Sequence, residues 1–169
     1  MTFRRSLLMR NFQMAIFTKR RMLTLAFGVF ALFAQDGWTR YSSSAYGFSM
    51  LIPQGNKVEE REWGSGWAGV RSTHDGVIFT GIGKLGKESE KDIIRFGVEA
   101  TGMAEKYWTT VDQGENYKVY RAEAGNDVLI AAVGVGSKAS FLLFLKTTKS
   151  DMNEHQADYR TWYQSVEIH

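Results

Sequence analysis

At 169 residues and with no cysteine, the chain has the length of one ordinary domain that must be stabilised by its core, without a disulfide framework or a thiolate metal site. Its 21 basic and 18 acidic groups give a formal net charge of +3, which taken alone points to a polyanion or membrane partner. Six of the basic groups (Arg4, Arg5, Arg10, Lys19, Arg20 and Arg21) fall within residues 1–35, which hold no acid; the remainder has 15 basic against 18 acidic groups, a net of −3, and nucleic-acid binding loses its main support.

The front of the chain reads as an export segment. Lys19, Arg20 and Arg21 precede an uncharged run from Met22 to Ala34, the pattern of a positive n-region and an apolar h-region too short to span a bilayer as a helix. Cleavage after Ala34 leaves a small residue at the cut, with the larger Leu32 two positions before it, and Met14 offers a second start beside Met1. The expected place of action is therefore extracytoplasmic, periplasmic or secreted, in a bacterium, with membrane contact only through this segment. An uncleaved segment makes the protein a membrane-tethered accessory subunit instead.

Residues 36–169 are expected to form a single domain. "YGFSMLI" from Tyr46 to Ile52 is a strand closed by Pro53, and "NKVEEREWGS" is an exposed loop with Glu59, Glu60 and Glu62 in solvent. Two β-rich runs on either side of His74-Asp75-Gly76 form an antiparallel hairpin around an Asp-Gly turn. A helix follows, capped by Ser89, with Ile93, Phe96, Gly97, Ala100, Met103, Ala104 and Tyr107 on one stripe. Four runs, about 108–113, 117–124, 127–135 and 139–147, are separated by connections too short for parallel crossovers and so form an antiparallel meander. "VLIAAV" and "FLLFL" are apolar without alternation, as in strands covered on both faces. A last helix, capped by Ser150, carries Met152, His155, Tyr159, Trp162 and Val166 inward before a terminal strand in "SVEIH". The expected class is α+β: a central, mainly antiparallel sheet of about six or seven strands flanked by one helix on each face.

Candidate chemistry is sparse. Gly81, Gly83 and Gly86 have the G-x-G-x-x-G spacing of a dinucleotide loop, yet Glu88 and Glu90 would meet the pyrophosphate and the following strands are antiparallel, so no cofactor is expected; Gly81 and Gly83 are read as relieving crowding where the helix packs on the strand, and Gly86 as serving the turn. His74 and Asp75 are the only pair that suggests a small extracytoplasmic hydrolase or lyase, but the turn already explains Asp-Gly and no G-x-S-x-G elbow occurs. The three histidines have no metal-ligand spacing, His155 being read as semi-buried, and the glutamates lack a calcium-loop pattern. Trp63 and Trp67, on either side of Gly-Ser-Gly, are read either as packing at the sheet edge or as a groove for a ligand or partner, and they are the candidate surface.

"YSSSAYGFSMLIPQG" at 41–55 and "DYRTWYQSVEI" at 158–168 resemble the two ends of PsbP-like domains, which open on an aromatic, an F-S-hydrophobic strand and a P-x-G step and close with a helix leading into a short strand. The resemblance implies an α/β/α sandwich shared with a Ran-binding nuclear import factor. It also implies a role like that of extrinsic photosystem II subunits and other accessory or binding modules: no catalytic residues, and an unidentified protein or small-ligand partner.

Overall fold

The computed structural model of the chain describes residues 37–169, so the export segment read from residues 1–35 lies outside the described residues. Among the described residues ten strands and three α-helices follow in chain order: β1 (Trp38–Ser43), β2 (Phe48–Pro53), β3 (Val58–Gly64), β4 (Trp67–His74), β5 (Val77–Leu85), α1 (Glu90–Thr101), β6 (Thr109–Gln113), β7 (Tyr117–Ala124), β8 (Asp127–Val135), β9 (Ala139–Thr148), α2 (Lys149–Glu154), α3 (Gln156–Gln164) and β10 (Glu167–Ile168). Seven strands form one antiparallel sheet in the order β3-β4-β5-β9-β8-β7-β6, and three form a second in the order β1-β2-β10. The meander β6–β9 is as expected. After β5, α1 carries the chain across the sheet to its far edge, and the meander then returns until β9 pairs antiparallel with β5.

The unbroken apolar runs bury both of their faces. On β8, Val128, Ile130 and Ala132 point into one core, and Leu129, Ala131 and Val133 into the other; on β9, Phe141, Leu143 and Leu145 oppose Leu142 and Phe144 in the same way. The α1 side is closed by Ile93, Met103 and the Trp67–Phe96 stack, whose ring centroids are 4.3 Å apart at 3°. Ser89 caps α1 as expected, its hydroxyl accepting from the Asp92 N–H at 3.1 Å.

The other side has a composite cover rather than a single helix. Phe48 and Met50 of β2, Tyr41 of β1 and Trp162 of α3 fill it together, and the Trp162 indole donates to the Leu51 carbonyl at 3.0 Å, tying the last helix to the small sheet. Gly81 and Gly83 face this layer: a methyl on Gly81 would lie 2.8 Å from the Phe48 ring and one on Gly83 2.3 Å from Tyr46. Their crowding is thus with the small sheet and not with α1.

Three local expectations are corrected, and one unassigned segment proves to be a strand. The segment read as an exposed loop is strand β3, an edge strand whose side chains remain largely in solvent. Strand β1 carries no clean alternation and is fixed by pairing with β2. Helix α1 stops at Thr101, because Gly102 turns left-handed at φ 73° and returns its N–H to the Val98 carbonyl, leaving Met103 buried beyond the helix. The last helix begins from Thr148 rather than Ser150 and breaks at His155, whose side chain is exposed rather than inward.

Candidate functional site

The β4–β5 hairpin ends in a turn where Asp75 and Gly76 both take positive φ (46° and 85°), the geometry a tight hairpin requires. This turn projects His74 and Asp75 toward the start of β1 and toward the α2–α3 break, and between them lies a cleft of about 280 Å³. Trp38, Val77 and Phe79 provide its apolar surface, with Trp38 edge-on to Phe79 at 5.6 Å and 83°. Asp151, His155, Asp158 and Tyr159 line the opposite side.

Both histidines are held by carboxylates. His74 Nδ1 lies 3.1 Å from the Asn56 amide oxygen and its Nε2 lies 3.5 Å from Asp75. His155 Nδ1 lies 3.4 Å from Asp158 and its Nε2 4.0 Å from Asp151. Asp151 accepts from the hydroxyls of Thr147 and Tyr159, and burial, reinforced by that carboxylate, pushes the Tyr159 phenol well above its ordinary range. Tyr159 is therefore a neutral donor at any ordinary pH.

Among the described residues, no lysine or arginine lies within 4.0 Å of Asp75, Asp151 or Asp158. The cleft sets three carboxylates and no lysine or arginine beside aromatic rings, a combination suited to an ammonium or guanidinium group. No serine, threonine or cysteine lines it, and the one lining hydroxyl, that of Tyr159, is donated to Asp151 rather than to His74 or Asp75. Among the described residues no three His, Asp or Glu side chains converge to hold a metal ion.

Both indoles of the sequence motif pack on the α1 core, to different depths. Trp67 is only 5% exposed and belongs to the α1 core, with Lys84 Nζ 5.8 Å from its ring centre. Trp63 is half-buried beside a bulge in β3, with the Arg61 guanidinium 5.8 Å from its ring centre. Of the pair, Trp63 is the less buried. Gly86, at φ 98°, occupies the turn before α1, where the Ser140 hydroxyl donates to its carbonyl and accepts from the Glu88 N–H.

Sequence reasoning reached His74 and Asp75 but not the wall opposite, which lies more than seventy residues further along the chain. The available signal was the spacing of Asp151, His155 and Asp158, which puts two carboxylates within reach of one imidazole across the helix break.

No protein-family model matches the chain, and no curated protein matches it. Among solved structures it is similar to the solution structure of cyanobacterial PsbP (CyanoP) from Synechocystis sp. PCC 6803, with a TM-score of 0.57 and 15% identity, over 84% of this chain and 98% of that one. The fold is PsbP-like. No helix among the described residues is long and apolar enough to cross a membrane.

Proposed function

We propose that this PsbP-like domain is an extracytoplasmic binding or accessory module without catalytic activity, and that its His74 cleft receives a cationic group of a protein partner or small ligand. The observation that carries the reading is the set of three carboxylates with no lysine or arginine within 4.0 Å among the described residues, set beside Trp38 and Phe79. The export pattern of residues 1–35 supports the location. The likeness to CyanoP supports the scaffold.

The test is a titration of the full chain with a lysine-rich peptide and a glutamate-rich control, followed by amide shifts. Saturable shifts at His74, Asp75 and His155 with the lysine-rich peptide alone support the reading. The double variant Asp75→Asn, Asp158→Asn then loses about tenfold in affinity or more, since each carboxylate supplies a charge-assisted hydrogen bond. Trp63→Ala leaves binding unchanged if the cleft is the site; loss of binding in that variant moves the site to the β3–β4 hairpin. Intact mass of the exported protein locates the cut after Ala34, and retention of residues 1–34 makes the protein a tethered accessory subunit.

A further inference from the structure

The two edges of the seven-stranded sheet are built differently. Strand β3 carries Glu59, Glu60, Arg61 and Glu62 in succession, so charge stands on both of its faces and discourages another chain from pairing with it. Strand β6, at the opposite edge, is Thr109-Thr110-Val111-Asp112-Gln113, with all five residues exposed, one charge and three β-branched side chains. Of the three exposed large apolar side chains among the described residues, Val111 lies on this edge and Tyr107 just before it. An edge of that composition is receptive to pairing.

Its side chains adjoin a shaped surface. A register shift between Thr110 and Asp112 leaves Val111 unpaired with β7, and its side chain borders a groove of about 180 Å³ between the sheet and the last two helices. Ile130 and Met152 line the groove with it, and Arg121, Arg160 and Tyr163 flank it. The volume is below the ~300–1,000 Å³ of ordinary small-molecule sites and suits one inserted side chain. Charge defines the rest: Arg121 and Lys149 share the single carboxylate of Glu123, and Arg160 has no acidic partner among the described residues. The surface around the groove thus has surplus positive charge where the cleft at His74 has surplus negative charge.

We infer that β6 is a docking edge for an extended acidic segment of a protein partner, which adds as a further strand to the sheet, places an apolar side chain in the groove beside Val111 and sets a carboxylate on Arg160. Backbone pairing supplies affinity and the groove with its guanidinium groups supplies selectivity. The site is separate from the His74 cleft and stands or falls independently of it.

The experiment titrates the isotope-labelled full chain with a blocked synthetic peptide of alternating valine and glutamate, and in parallel with its valine–lysine counterpart, following amide exchange and shifts at residues 109–113. The acidic peptide is expected to slow exchange at β6 saturably and the basic peptide to leave it unchanged. Arg160→Glu, on the exposed side of α3, should weaken the acidic peptide about tenfold or more while leaving the remaining amide spectrum in place. Val111→Pro, which removes a backbone N–H of the edge strand together with the groove-bordering side chain, should abolish the protection. The inference is overturned if the two peptides bind alike, if Arg160→Glu binds as the parent does, or if the shifts lie away from β6. Protection of β6 that rises with protein concentration in the absence of peptide would also overturn it, by identifying a second copy as the occupant.

Discussion

A methyl group added at Gly69 would lie 1.9 Å from the Gly81 carbonyl oxygen, whereas at Gly81 the nearest atoms are the ends of the flexible Phe48 and Met50 side chains, at 2.8 and 3.0 Å. Backbone in the paired strands β4 and β5 cannot retreat without breaking the ladder, but side-chain ends can. Gly69→Ala is therefore expected to destabilise more than Gly81→Ala, with Gly81→Ala in the ~1–3 kcal/mol range of an overpacked core and Gly69→Ala above it, as read by denaturant unfolding. The Glu90–Tyr120 pair responds to pH at both ends. Hydrogen bonding to Lys118, and then to Tyr120, holds the Glu90 carboxyl below its ordinary 4.5, so its contribution is present above 4.5 and is lost as pH falls through the lower folded value. Burial, reinforced by Glu90, pushes the Tyr120 phenol up to about 12, so its contribution is intact below 10.0 and is lost as pH rises through about 12. Glu90→Gln should flatten the acid limb of the stability profile and move the Tyr120 phenolate transition toward 10.0; an unchanged ultraviolet titration would exclude the coupling.

At the scale of elements, caps and stacks decide where segments end and what they cover. Ser89→Ala removes the acceptor for the Asp92 N–H and is expected to cost about 1 kcal/mol, seen as earlier amide exchange through the first turn of α1. Trp67→Ala removes one partner of the Phe96 stack and opens the α1 core; a loss of ~3–5 kcal/mol in chemical unfolding is expected, while a loss within 1 kcal/mol would place the indole outside that core. The hairpin at Asp75-Gly76 and the meander β6–β9 were legible in the sequence because short glycine-bearing connections separate β-rich runs. Strand β3 was not, because four consecutive charges conceal its alternation and only pairing with β4 reveals the strand. The break at His155 was likewise hidden, since an apolar stripe through Met152, Tyr159 and Trp162 persists across it.

For the whole molecule, the layers are held by contacts between distant parts of the chain: β10 pairs with β2, and Trp162 binds the Leu51 carbonyl. Residues 37–169 expressed alone are expected to unfold in one cooperative transition with coincident fluorescence and circular-dichroism midpoints; separate midpoints would show that the small sheet and the large one are independent units. By itself the sequence determined the α+β class, the antiparallel order of the meander and the strands buried on both faces, because these depend on local periodicity and on connections too short for a crossover. Only the tertiary structure decided the composite cover of the second face, the pairing of β1 with β2 and the assembly of Asp75, Asp151 and Asp158 around one cleft. Those features arise from packing between segments far apart in the chain, and the spacing of residues along any one segment does not specify which distant surface it meets.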